Sequence, residues 1–163
     1  METVDDVRSP WEIAIERGQI SVGDGLEFRT IADVCRCFGR NPKRMQRCYI
    51  SLDYNNYSLW CPKLAKERKD GTEVSAAHGI INTMSEDGSQ ILSRYDHNVG
   101  SGSDDPHVTF MFSKDASGRL AYRFVGVFSS DGRMPDDTHV AGYTRLADTL
   151  DIRPWNLSVK GTQ

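Results

Sequence analysis

No apolar run in this sequence approaches the roughly 20 residues that carry a helix across a bilayer, so no transmembrane helix is expected. Met1 to Arg8 is acidic and polar, which is unlike a secretory leader. Positive charge is also scarce. Lys and Arg number 20 against 23 Asp and Glu, a net charge of −3. That balance excludes broad coating of nucleic acid through many phosphate contacts, although a local basic patch remains open. Cysteine is limited to Cys35, Cys37, Cys48 and Cys61, with no CxxC spacing. A reduced compartment follows as the expectation: cytoplasmic, or nuclear in a eukaryote. GxSxG, a Gly-rich phosphate loop and HExxH are all missing, so the common nucleophilic, nucleotide-binding and zinc-hydrolase signatures give no catalytic residue.

What is present suits one domain of 163 residues with 38% hydrophobic and 26% charged residues. Ser9-Pro10-Trp11-Glu12 supplies a helix start, with a cap, a proline at the first helical position and a capping-box acid; Gly18 stops the helix after Arg17. Ile20 to Val22 and Leu26 to Phe28 read as short strands around Gly23-Asp24-Gly25. Ile31, Val34, Cys35 and Phe38 repeat at helical spacing, and Gly39 follows to end that helix. Arg47 to Leu52 and Tyr57 to Cys61 are candidate strands, and Lys63 to Thr72 is charged enough for an exposed loop or short helix.

The strongest element is a β-hairpin, His107 to Phe112 and Arg119 to Phe128, around the turn Lys114 to Gly118. Val108, Phe110 and Phe112 should share one face, and Leu120, Tyr122, Phe124 and Phe128 should share one face of the partner. Thr138 to Thr144 adds a strand, and Leu146 to Leu150 a helical turn. Strands outnumber helices, so the expected class is α+β: a mainly antiparallel barrel or sandwich with a few peripheral helices.

Asp96-His97-Asn98 with Asp104, Asp105 and His107 has ligand-type chemistry, but the surrounding Gly/Ser-rich acidic stretch reads as a solvated loop, and no metal or cofactor is expected. Cys35 and Cys37 lie two apart on a helix and make a poor ligand pair; small buried hydrophobes are the better reading. Glu86-Asp87 and Asp136-Asp137 are read as charged turns. The concentrated positive patch is Arg40, Lys43, Arg44 and Arg47, which can clamp phosphates or simply solvate a helix end. The aromatics Tyr49, Tyr54, Tyr57 and Trp60 follow it, suited to base stacking or to a sheet core.

Taken in order, four segments resemble the C-terminal SRA-like, PUA-related domain of PvuRts-type restriction endonucleases, which act on hydroxymethylcytosine DNA. They are Val22-Gly23-Asp24 with Phe28-Arg29 and Cys37-Phe38-Gly39; Leu59 to Leu64; Asn82-Thr83-Met84-Ser85-Glu86-Asp87-Gly88 to Ile91; and Tyr122 to Phe128. The resemblance runs from about Ile20 to Ile152 and implies a helix over 1–18, an SRA-like β-barrel domain over 19–153 and a tail over 154–163. It implies a base pocket with Trp60 as a stacking wall, Asn82 addressing a base edge, Tyr57 beside them, and Ser85 and Asp87 at the rim. Two positions depart from the family pattern: Ile80 stands where a Trp is usual, and Ser93 where an acid is usual.

The implied function is a non-catalytic module that binds double-stranded DNA and reads 5-hydroxymethyl- or 5-methylcytosine by flipping it into the pocket. The family's nuclease half has no counterpart in this sequence, so a nuclease domain or other protein partner would supply cutting. Two other classes remain open. Gly23 to Arg29, with its Glu27-Phe28-Arg29 strand, is similar to ASCH domains, which implies RNA binding or cleavage. A protein-interaction module of a phage or defence system is the third.

Overall fold

The computed structural model describes residues 7–42, 47, 49–64, 66–67, 73–74, 80–100 and 105–157. Lys43, Arg44, Cys48 and Asp104 lie outside the described residues. Helix α1, Pro10–Arg17, begins where the sequence places it: Glu12 accepts the Ser9 N–H at 3.1 Å, and Gly18 turns the chain with φ +77°. Helix α2 spans Ile31–Arg36, and the Thr30 hydroxyl accepts the Asp33 N–H at 3.1 Å. Among the described residues no helix is long and apolar enough to cross a membrane.

Strand β1, Gln19–Ser21, pairs with β11, Thr149–Asp151. A seven-stranded sheet carries the rest of the core. It contains β2 (Tyr49–Ser51), β3 (Ser58–Trp60), β6 (Ile81–Met84), β7 (Gln90–Arg94), β8 (His107–Lys114), β9 (Leu120–Met134) and β10 (Asp137–Ala147). Its order is β2-β3-β8-β9-β10-β7-β6, and every pairing except β3–β8 is antiparallel. The class is α+β as expected, but the sheet is open rather than closed as a barrel. Pro62 has no N–H to extend the ladder, and past β3 the chain reaches β6 through the isolated bridge Leu64–Asn82.

Several elements differ from the sequence reading. Leu26–Phe28 forms one bridge, Phe28 to Tyr122, instead of a strand. In place of a loop or helix, the charged stretch holds the short strand β4 (Lys66–Glu67), which pairs with β5 (Glu73–Val74) just after it. Leu146 to Leu150 is not helical. Leu146 is the unpaired residue of a bulge in β10, 60% exposed, and Leu150 sits in β11.

The sheet is apolar on both faces. On the helix-covered face, Phe110 is fully buried between Phe28, Phe38 and Phe124, with ring centroids at 5.4, 6.3 and 5.5 Å. Ala14 of α1, Val34, Cys35 and Cys37 belong to the same core, as do Trp11 and Trp155 at its margin. Burial raises both cysteine thiols above their usual range, in keeping with inert packing residues. The opposite face holds a smaller core of Trp60, Ile91, Met111 and Phe128.

Phe128 reaches that second face because of a bulge. Thr109 pairs with Gly126 but Phe110 with Phe124, so Val125 is an extra residue and the alternation of β9 inverts after it. Gly126 has φ +130°, and a Cβ there would lie 2.5 Å from Arg145 Cδ and 2.9 Å from the Ala147 carbonyl. Leu120, grouped from the sequence with Tyr122 and Phe124, is 41% exposed beside the hairpin turn, paired with Lys114.

Candidate functional site

On the face away from the helices, strands β7, β9 and β10 surround a cavity of about 240 Å³ lined by Tyr95, His97, Val99, Gly100, Ser130, Gly132, Ala141 and Tyr143. Its size lies below the roughly 300–1,000 Å³ of drug-sized ligand sites and suits a small planar group. Tyr143 is brought there by pairing with Ser130 on β9 and Ile91 on β7. Behind it Trp60 lies tilted on the Tyr143 ring, centroids 4.5 Å apart. His107 completes this wall at 5.6 Å from Tyr143 and 5.9 Å from Trp60, and Tyr49 packs on His107 at 5.3 Å.

The wall is uncharged. His107 Nδ1 lies 2.5 Å from the Asp105 carbonyl, which can only accept, so Nδ1 carries the proton and Nε2 is the acceptor nitrogen. Burial, the larger effect, lowers the His107 pKa and keeps the ring neutral. Burial likewise raises the Tyr143 phenol above its usual range, so it stays protonated.

Polar groups continue inward from the cavity. Ser93 on β7 is the cross-strand partner of Ala141, which lines the cavity. Ser93 Oγ donates to Asn82 Oδ1 at 2.6 Å, and Asn82 Nδ2 donates to the Lys63 carbonyl at 3.0 Å. The outer rim is the segment after β7. Tyr95 N–H donates to the His139 carbonyl and Val99 N–H to the Thr138 carbonyl, both at 2.8 Å. Arg133 Nε donates to the Val99 carbonyl at 2.9 Å, and Thr138 Oγ1 donates to Asn98 Oδ1 at 2.7 Å. His97 pairs with Asp96 at 2.7 Å in this rim.

The residues singled out from the sequence are dispersed around this site. Trp60 backs the cavity wall, and Asn82 bonds to Ser93, the cross-strand partner of the cavity-lining Ala141. Tyr57 lies on the other face, packed on Trp155 at 5.5 Å, because side chains three apart on an extended chain point opposite ways. Ser85 and Asp87 form the β6–β7 turn. Asp87 Oδ1 accepts from Ser85 Oγ (2.9 Å), Ser89 N (3.0 Å) and Ser89 Oγ (2.7 Å). The Ser89 bonds, first, and then the Ser85 bond bring its carboxyl down to about 2. Neither residue lines the cavity.

Of the basic patch, Arg40 is held by the Ser51 carbonyl at 2.6 Å and Asp53 at 2.7 Å, and Arg47 is exposed. Glu27, the acid in the RNA-cleaving alternative, has one oxygen on Arg119 and the other on Arg123. The hydrogen bonds from Arg123 and then Arg119 lower its pKa, which weakens it as a proton acceptor at neutral pH.

Tyr95 and Tyr143 were not singled out from the sequence. A signal for Tyr95 was present, because Ile91, Ser93 and Tyr95 alternate with the exposed Leu92 and Arg94.

Residues 13–152 match the family model of the SET and RING associated domain. Among solved structures the chain is similar to the 5-hydroxymethylcytosine-specific restriction enzyme AbaSI, with 25% sequence identity and a TM-score of 0.67. The match covers 92% of this chain and 48% of that one, so the chain spans about half the length of that enzyme. None of the curated proteins matches it.

Proposed function

The chain belongs to the SET and RING associated (SRA) domain family, and on that footing we propose that it binds double-stranded DNA and reads a modified cytosine flipped into the cavity between Tyr95 and Tyr143. The observation that carries this reading is the cavity itself: nucleobase-sized, walled by Tyr143 on Trp60 and edged with hydroxyl groups. The likeness over 92% of the chain to an enzyme named for 5-hydroxymethylcytosine supports the same ligand class.

Unstacking a base costs a few kcal/mol, least for a weakened pair. Aromatic stacking contributes about 1–3 kcal/mol per base and offsets much of that cost. Edge hydrogen bonds then decide which base stays. The net charge of −3 calls for few phosphate contacts and a shallow salt dependence. Lys43, Arg44 and Arg47 are the proposed contacts, while Arg40 is already paired with Asp53. On this reading the chain recognises and does not cut, and a nuclease domain or protein partner supplies cleavage.

Fluorescence anisotropy with duplexes carrying one central 5-hydroxymethylcytosine, 5-methylcytosine or cytosine tests the proposal. Tighter binding to a modified duplex supports it. Equal affinities, or no binding at low salt, overturn it.

A further inference from the structure

Arg133 on β9 stands at the mouth of the cavity. It is the direct cross-strand partner of the cavity-lining Ala141, and Gly132 beside it also lines the cavity. Direct partners in an antiparallel pair share a face, so the Arg133 side chain leaves β9 on the cavity side. Its Nε–H donates at 2.9 Å to the carbonyl of Val99, another lining residue. The side chain thus spans the mouth, from β9 to the segment that follows β7. At Gly100 and Gly132, no described atom lies within 4 Å of the place a Cβ would take, so a ligand can approach the backbone closely there.

A guanidinium carries five N–H donors, and Val99 takes one. Among the described residues Arg133 forms no ion pair, unlike Arg94 with Asp137, Arg40 with Asp53 and Arg123 with Glu27. The Asp96 carboxylate of the same rim is bonded to His97. The two Nη groups of Arg133 therefore form an exposed planar fork that matches two oxygens of one phosphate. The Nε tether holds that fork in place beforehand, which lowers the ordering cost of using it.

A base in the cavity is joined to its own phosphates through one sugar, so those phosphates must pass the mouth. From this, and resting on the reading above, we infer that Arg133 grips a phosphate beside the flipped nucleotide. The contact carries no base information; it fixes where the strand sits once a base has entered. It is separate from Lys43, Arg44 and Arg47, which precede β2 in the sequence.

The test uses duplexes with one 5-hydroxymethylcytosine and one neutral methylphosphonate linkage, placed 5′ to it, 3′ to it or near the duplex end. Wild type should lose about tenfold in affinity from one of the two flanking linkages and nothing from the distant one. Arg133→Gln should bind the unmodified backbone about tenfold more weakly and lose nothing further from that linkage. Its plot of log affinity against log salt should be shallower by about 0.9, the share of one phosphate. Because Arg133 is exposed, the variant should melt near wild type.

A wild type that prefers hydroxymethylated to plain cytosine but ignores both flanking linkages overturns this inference and leaves the proposed function standing. So does a folded Arg133→Gln that stays as sensitive to the linkage as wild type, since Arg133 is then only a tie for the rim. Equal affinities for hydroxymethylated and plain cytosine, or no binding at low salt, overturn both.

Discussion

Ser93 on β7 and Asn82 on β6 are direct cross-strand partners, joined by a 2.6 Å hydrogen bond, with Ser93 wholly buried and Asn82 6% exposed. Removing either side chain strands the other in a dry setting, where an unsatisfied polar group costs about 1–3 kcal/mol. Ser93→Ala should lower unfolding free energy by that amount in urea titrations. A double-mutant cycle with Asn82→Ala should be strongly non-additive, because the second change removes the group the first left unpaired.

The opposite orientations of Trp60 and Tyr57 separate binding from stability. Trp60→Ala should cost about 3–5 kcal/mol through the cavity left beside Ile91, Met111 and Phe128. Trp60→Phe should fold and weaken discrimination between modified and plain duplexes. Tyr57→Phe, altered on the helix-covered face, should leave that discrimination unchanged in the same anisotropy titration.

Stability should fall in two stages as pH drops. His107 is held below its usual 6.5 by burial. The unfolded chain therefore binds more protons from 6.5 down to the folded value, and stability is lost across that window. Glu27 is held below its usual 4.5 by Arg123 and Arg119, so its contribution is present above 4.5 and lost as pH falls toward the folded value. Asp87 and Asp151, both near 2, share that lower limb. Thermal melts across pH should show His107→Phe flattening the upper stage, with Glu27→Gln reducing the lower one only in part.

How far the fold was legible in the sequence depended on whether the signal was local. Ser9-Pro10 and Gly18 delimit α1 because capping is settled within a few residues. The hairpin of β8 and β9 is declared by its turn, where Asp115 accepts from the backbone of Ser117 and Arg119. Leu146 and Leu150, four apart, mimic a helix; a bulge whose partner lies on β9 decides otherwise. The face of Phe128 was likewise hidden behind the extra residue Val125. The cavity was the least visible feature. Tyr95 and Tyr143 meet through the non-local register of β7 and β10, and nothing near either residue announces the other.

Gly39 should tolerate no side chain. It has φ +71°, and a Cβ there would sit 2.3 Å from the Trp155 carbonyl. The final 3-10 turn, Arg153–Asn156, is fastened by Trp155 Nε1 to the Leu52 carbonyl at 2.8 Å and by Asn156 Nδ2 to the Cys37 carbonyl at 2.9 Å. Gly39→Ala should destabilise by about 1–3 kcal/mol and red-shift tryptophan emission as Trp155 leaves its aromatic contacts with Phe38, Tyr54 and Tyr57.

The most direct measurement is the affinity of the protein for otherwise identical duplexes with one hydroxymethylated, methylated or plain cytosine, titrated by anisotropy at fixed salt. Binding to a modified duplex should be tighter than to plain cytosine, and Tyr143→Ala should abolish the difference while the protein remains folded. Indistinguishable affinities for all three duplexes in the wild-type protein would contradict a cytosine-reading cavity.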